Sequence, residues 1–133
     1  GALLDRLVTA GVAHLAVAVR ETAGVVGPLV RPGITSCLRC ADLHRGDRDP
    51  VWPALAAQLA TAPPGATDAQ DTALGTMITG LAGLQALSFL DGEPVQADNG
   101  TLELALPDCL VRRRSWPPHP DCGCRRRRLG LAS

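Results

Sequence analysis

The sequence contains no lysine and no tyrosine, and its 133 residues include only one phenylalanine and two tryptophans. Without a lysine ammonium, Schiff-base chemistry is excluded within this chain. So few aromatic rings leave little surface for stacking nucleic-acid bases. A hydrophobic content of 46% excludes a disordered chain. The core must therefore consist mainly of alanine, leucine and valine, which requires helices and strands to approach closely.

The sequence also shows no secretory signal peptide, and its five cysteines are not the even set of a disulfide framework. Four of the five form two close pairs, which favours a reduced, cytoplasmic protein. The apolar run 72–90 approaches the length of a membrane span, but it contains Gln85 and Ser88. We interpret it as a buried helix, and we expect no membrane partner.

The charges are distributed unevenly, although the formal net charge is zero. Residues 109–133 hold seven arginines and one aspartate, a net charge of +6, and the other residues carry −6. A basic segment with its tail at 125–133 permits contact with phosphate or an acidic partner, but it also occurs as a solubilising terminus. A nucleic-acid-binding module is therefore an alternative, which the zero net charge and the scarcity of aromatic residues disfavour.

The first part of the sequence has the pattern of an α/β domain. Residues 3–8 have helical spacing with Gly11 as the C-cap. The apolar run 14–20 predicts a buried strand, and a second strand is expected at 25–30. A helix, a tight turn and an apolar strand form the second half of a β-α-β unit. We therefore expect a single, truncated domain over 1–133 whose sheet continues on the N-terminal side.

The central part is polar and turn-rich at 36–50, and a short helix is expected at 51–60. Residues 61–70 are rich in proline, glycine and alanine and are interpreted as a flexible crossover linker. A long helix is predicted from Asp71 or Thr72 to Leu90, with a broad apolar face that includes Leu74 and Leu84. The glycines of this helix each weaken it by about 1 kcal/mol, which favours a second backbone lying against them; they are Gly75, Gly80 and Gly83.

The last predicted elements are a strand at 101–106 and a returning strand at 110–116, which together form a hairpin. Cys109 lies at its turn, without a neighbouring histidine or helix N-terminus to activate it, and we expect an inert thiol. His14 opens a strand and is expected to be a core or edge residue.

Two cysteine pairs are the strongest chemical signal: Cys37-Leu-Arg-Cys40 and Cys122-Gly-Cys124. Four thiolates from two short loops can surround one Zn²⁺ tetrahedrally, and Gly123 gives the shorter pair its backbone freedom. Buried free thiols or a disulfide are the alternatives. We predict that these four cysteines are metal ligands, and that the zinc is structural because no position is open for water. His119 is an alternative ligand, whereas His44 is expected at the surface.

The segment 24–40 resembles the signature of the ThiF/MoeB adenylyltransferase superfamily, the ubiquitin-activating-enzyme-like proteins. In that family a strand ending in Pro-Gly-x-Thr-x-Cys-x-x-Cys leads to the zinc site, and this pattern stands here at 32–40. Residues 84–92 are similar to the family helix before the last strands, and 119–124 to a shortened second zinc pair. The arginine- and alanine-rich composition is most similar to that of actinobacterial ThiF-type proteins and of the related domains of azoline-forming peptide cyclodehydratases.

This resemblance implies the C-terminal, zinc-binding half of a Rossmann-like ThiF-type fold. The implied architecture has a mixed sheet, a C-terminal antiparallel hairpin, a long buried helix and a structural zinc site. The implied activity is ATP-dependent adenylation of a carboxylate at the C-terminus of a carrier protein or peptide. The family also implies a homodimer, for which the small residues of the long helix are candidates.

The sequence departs from the family pattern at the nucleotide site. The glycine-rich turn, the magnesium-binding aspartate and the phosphate-contacting arginine and lysine cannot be mapped onto it, and no cysteine lies at 61–70. We therefore expect ATP and Mg²⁺ to bind only with a missing N-terminal part, and this chain alone to be inactive, without catalytic residues. Arg31 and Arg45 are candidates for holding an acidic acceptor. A non-catalytic protein-interaction domain is a further alternative.

Overall fold

The computed structural model describes residues 2–20, 22–49 and 69–124. The elements in chain order are α1 (Ala2–Ala10), β1 (His14–Arg20), β2 (Ala23–Val30), α2 (Leu38–Arg48), α3 (Ala69–Leu90), β3 (Gly100–Ala105) and β4 (Val111–Ser115). The helix predicted at 51–60, the linker up to residue 68 and the tail at 125–133 lie outside the described residues. The last two residues of the predicted linker belong to α3.

The four strands form one sheet in the order β1-β2-β3-β4, and each neighbouring pair is antiparallel. The family resemblance implies a mixed sheet, but the strand pairs of the described chain include no parallel one. β1 and β2 form a tight hairpin, because Ala23 already pairs with Arg20. The predicted hairpin of β3 and β4 is confirmed, with Glu103 opposite Arg112.

β1 lies at one edge of this sheet, and it is more exposed than its apolar sequence predicted. Val17 and Val19 are 47% and 39% exposed. The prediction of a buried strand at 14–20 is therefore wrong for the described part of the chain. α1 ends as predicted, since Gly11 has a φ of 75° and its N–H donates to the carbonyl of Val8 at 3.1 Å.

α3 forms the main apolar core by packing against the sheet. Leu74 and Ile78, four residues apart on one helix face, are each 1% exposed and contact Val26 of β2 together with Leu102 and Leu104 of β3. Further along, the Gln85 side chain accepts a hydrogen bond from the N–H of Ala97 at 2.9 Å. This bond fixes the helix to the segment that enters β3.

The opposite side of α3 is exposed, so the prediction of a buried helix is correct for one face only. Met77, Leu84, Leu87 and Leu90 are 47%, 63%, 58% and 74% exposed. A Cβ atom built on any of the three helix glycines would meet no described atom within 4 Å. The second backbone expected against those glycines is therefore not among the described residues.

The stretch Thr72–Leu90 of α3 is long and apolar enough to cross a membrane, judged by length and composition alone. Both properties also occur in core helices of soluble proteins. The expectation of no membrane partner stays a prediction.

A second, smaller core joins α1, β2 and α2 near the end of β2. Val8 and Val30 contact the buried cysteines Cys37, Cys40 and Cys124, and the half-buried Cys122 packs against them. The cysteine pairs are therefore part of the packing that holds α2 and the C-terminal segment to the sheet.

Candidate metal centre

The first cysteine pair lies at the start of α2, and not on a loop as the sequence predicted. Cys37 is the N-cap residue with extended backbone (φ −109°, ψ 178°), and Cys40 follows in the first helical turn. Residues three apart at a helix start face the same side, so both sulfur atoms point to one place. The positive end of the helix dipole also favours thiolates there.

Hydrogen bonds fix the turn that leads into this pair. The Thr35 hydroxyl donates to the carbonyl of Leu29 at 3.1 Å and accepts from the N–H of Arg31 at 2.9 Å. The N–H of Ser36 donates to the Asn99 side chain at 2.8 Å, which connects the turn to the start of β3. The Pro-Gly-x-Thr-x-Cys pattern therefore works locally as a rigid turn that positions Cys37.

The second cysteine pair is positioned by the chain that follows β4. Trp116 is fully buried, and its indole N–H donates to the Thr101 hydroxyl at 2.8 Å. After the prolines, the N–H of Cys122 donates to the carbonyl of His119 at 3.0 Å and closes a turn. This turn points the Cys122 and Cys124 side chains toward the first pair.

The structure brings together the four sulfur atoms that the sequence predicted. Sγ of Cys37 lies 3.7 Å from that of Cys40 and 3.6 Å from that of Cys122, and the Cys40 and Cys124 sulfurs are 3.6 Å apart. All four lie within 4.8 Å of one another. A tetrahedral site with Zn–S bonds of about 2.3 Å places its sulfurs about 3.8 Å apart. The donor set and its spacing therefore fit one metal ion.

A disulfide does not explain the cluster, because all five cysteines are free thiols. Hydrogen bonds from the Cys124 and Cys37 thiols lower the pKa of Cys40. Hydrogen bonds between Cys124 and the thiols of Cys37 and Cys40, together with burial, raise the pKa of Cys124. The surroundings therefore favour the thiolate form of Cys40 and disfavour that of Cys124, whereas a divalent ion stabilises four thiolates at once.

His119 does not join the sulfur cluster, although the sequence left it open as a ligand. It lies in a separate group with His44 and Asp47, whose potential ligand atoms are also within 4.8 Å of one another. His44 was expected at the surface, but it is half-buried and contacts the His119 ring edge-on. Sequence reasoning missed Asp47, because a single aspartate in a polar stretch carries no signal.

The remaining candidates have ordinary structural surroundings. Cys109 is exposed in the turn between β3 and β4, with its sulfur 3.5 Å from the Pro107 carbonyl. His14 opens β1, as predicted, and its ring contacts the Val12 carbonyl.

Arg31 and Arg45 each bind a carboxylate of this chain, and the expectation that they help to hold an external acceptor stays a prediction. Arg31 pairs with Asp98 at 3.0 Å. Arg45 pairs with Glu103 at 2.8 Å and lies over the Trp116 ring. Both arginines therefore connect loops or helices to the sheet.

Several solved structures share this fold at low sequence identity. Escherichia coli MccB in complex with ATP is 15% identical with a TM-score of 0.65, over 92% of this chain and 34% of MccB. The microcin C7 biosynthetic enzyme MccB in complex with N-formylated MccA is 16% identical with a TM-score of 0.64, over 92% of this chain and 36% of the enzyme. A heterocyclase in complex with substrate and cofactor is 19% identical with a TM-score of 0.62, over 92% of this chain and 18% of that protein.

These similarities confirm the predicted fold class, and at this identity they show the fold alone. The chain spans about a third of the MccB chains that it matches. No protein-family model and no curated sequence matches it.

Proposed function

We propose that this chain is the zinc-binding C-terminal half of a ThiF/MoeB-type protein, most similar to actinobacterial and azoline-cyclodehydratase-associated members. Its role is that of a scaffold and acceptor-binding portion during ATP-dependent adenylation of a carboxylate at a peptide or carrier-protein C-terminus. The shared fold with MccB over 92% of the chain carries this proposal. Structures of MccB with ATP and with N-formylated MccA support the reaction class.

We propose that the metal is a structural Zn²⁺ held by Cys37, Cys40, Cys122 and Cys124. The sulfur spacing and the buried, two-segment arrangement support this choice. Four sulfur ligands fill the tetrahedral site, so the ion would cross-link the start of α2 to the C-terminal segment and take no part in chemistry. A cytoplasmic location, where thiols stay reduced, is part of the same proposal.

The nucleic-acid alternative gains no support from the described residues. Trp116 is fully buried and cannot stack on a base. The basic tail at 125–133 lies outside the described residues.

Nucleotide binding by this chain tests the half-domain proposal. Because no residue of the chain corresponds to the family's phosphate-binding groups, we expect ATP with Mg²⁺ to give no saturable heat in isothermal titration calorimetry. The zinc-loaded chain is used, and its circular dichroism spectrum shows that it is folded. Saturable binding with a micromolar Kd would mean that the chain contains its own nucleotide site and would contradict the proposal.

We also propose a homodimer that forms through the exposed face of α3. This face combines Met77, Leu84 and Leu87 with the open Gly80, which lets a second helix approach closely. Leu84→Glu combined with Leu87→Glu places two carboxylates in that contact and is expected to convert a dimer to a monomer. Light scattering coupled to size-exclusion chromatography measures the mass.

Leu110→Glu is the matched control for this substitution. Leu110 is 56% exposed in the turn before β4, and it lies outside the α3 face. The control is expected to keep the dimer mass. A wild-type chain that is monomeric at about 100 μM would contradict the dimer and leave the zinc and nucleotide proposals untouched.

A further inference from the structure

His119 lies three residues before Cys122, and both of its ring nitrogens are engaged. The residue is 7% exposed. Its Nδ1 accepts a hydrogen bond from the N–H of Asp121 at 3.0 Å, and its Nε2 lies 2.7 Å from Oδ2 of Asp47. A ring nitrogen that accepts a hydrogen bond carries no proton, so in the neutral ring the proton is on Nε2. Nε2 therefore donates to Asp47 on α2.

The backbone of His119 contacts one cysteine of each pair. Its carbonyl accepts the N–H of Cys122 at 3.0 Å. Its backbone also hydrogen-bonds the sulfur of Cys40. A shift of His119 would therefore move Cys122 and remove a hydrogen bond from Cys40 at the same time.

His44 supports the same arrangement from α2. Its Nε2 lies 2.9 Å from the carbonyl of Pro117, which can only accept, so Nε2 of His44 is the donor. The two histidine rings meet edge-on, with centroids 4.7 Å apart. Two side chains of α2, His44 and Asp47, thus hydrogen-bond the segment just before the second cysteine pair, at Pro117 and His119.

The protonation pattern argues against a second metal site at His44, Asp47 and His119. A metal ion at Nε2 of His119 would have to replace the proton given to Asp47. The ring would then need its proton on Nδ1, which would break the hydrogen bond from Asp121. The group is better suited to holding the loop than to binding an ion.

We propose that His119, oriented by Asp47, is a positioning residue that sets the affinity of the four-cysteine site for its metal. This inference rests on the proposed zinc site. Neither residue is a ligand; both reduce the freedom of the second cysteine pair before the metal binds. Groups that orient metal ligands in this way typically change metal affinity about 10- to 100-fold when they are removed.

The test is competition between the full chain and the chromophoric chelator 4-(2-pyridylazo)resorcinol for zinc. His119→Ala is expected to weaken zinc binding about 10- to 100-fold while the stoichiometry stays at one ion. Asp47→Ala is expected to weaken it about tenfold, and the double variant to bind no more weakly than His119→Ala, because Asp47 acts through His119. His119→Gln, whose amide can still donate to Asp47, is expected to recover part of the affinity.

Co²⁺ substitution distinguishes positioning from ligation. The ligand-field (d–d) bands of the cobalt-loaded His119 variants are expected to match those of the wild type, since the four sulfur ligands remain. Asp91→Ala is the matched control away from the cluster, since Asp91 is exposed just after the end of α3. It is expected to keep wild-type affinity. The Asp47 side chain is 66% exposed, so Asp47→Ala tests the positioning role of His119 without risk to folding.

Each result has a defined meaning. Unchanged zinc affinity in both His119→Ala and Asp47→Ala would overturn the inference. A changed cobalt ligand-field (d–d) spectrum in His119→Ala would overturn it as well, because His119 would then be a ligand. A wild-type chain that binds no zinc would instead overturn the zinc site of the proposed function.

Discussion

Cys37→Ser is expected to lower bound zinc from one ion per chain to nearly none and to destabilise the fold strongly. A serine hydroxyl does not replace a thiolate, and three sulfurs from two distant segments hold the ion poorly. A ligand present at 1,000 times its Kd stabilises a protein by about 4 kcal/mol, so loss of zinc binding at that ratio costs about the same amount. For a domain of this size the melting temperature then falls by about 15 °C. Elemental analysis and thermal unfolding of the reduced protein measure both effects.

Cys109→Ser is the matched control. Its sulfur is exposed and makes its one described contact with the Pro107 carbonyl at 3.5 Å. Zinc content and melting temperature are therefore expected to equal those of the wild type. One full equivalent of zinc in Cys37→Ser would contradict the four-cysteine site, and so would a wild-type melting temperature unchanged by a strong chelator.

The cysteine site could be predicted because its signal is local and chemical. Each pair is recognisable by its own spacing, and four thiolates have few alternative uses in a reduced protein. Cys37 and Cys122 are 85 positions apart in the chain. That the two pairs meet was predicted from the chemistry of their thiolates, and not from any pattern in the residues between them. The residues that orient the pairs could not be found in this way, since His119 and Asp47 are ordinary residues until the fold brings them together.

α2 escaped prediction because its buried face carries no bulky apolar residue. Only Cys40 and Ala41 of its eleven residues are buried, and the sequence also contains Gly46. The periodic signal of a helix depends on large apolar side chains that recur on one face. This helix is held instead by tertiary contacts, including the ion pair between Arg45 and Glu103.

For α3 the sequence predicted the helix but not which of its residues are buried. Its apolar residues predicted a helix correctly, but they lie on nearly all sides, so the sequence could not show which of them are covered. Leu74 is 1% exposed and Leu84 is 63% exposed, although both belong to the same pattern. Likewise, the apolar sequence of β1 does not show whether the strand lies at the edge or in the middle of a sheet.

Gly27→Ala is expected to destabilise the protein by about 3 kcal/mol, which lowers the melting temperature by about 10 °C. Gly27 lies in β2 with a φ of 111°, a conformation that side-chain-bearing residues rarely adopt. A Cβ atom there would lie 2.6 Å from the Gly100 carbonyl oxygen and 3.2 Å from the Thr101 Cα. Both neighbours are backbone atoms of β3, so the strands must separate. Thermal and denaturant unfolding of the zinc-loaded chain measure the loss.

Gly46→Ala is the control for the same chemical change. Gly46 lies within α2, and a Cβ atom there would meet no described atom within 4 Å. Alanine is a better helix former than glycine, so this variant is expected to gain about 0.5–1 kcal/mol. Because β2 leads directly to Cys37, we expect Gly27→Ala also to weaken zinc binding, whereas Gly46→Ala does not. Equal stability of Gly27→Ala and the wild type would show that β2 does not pass so close to β3, and the position of the turn that carries Cys37 would then be wrong.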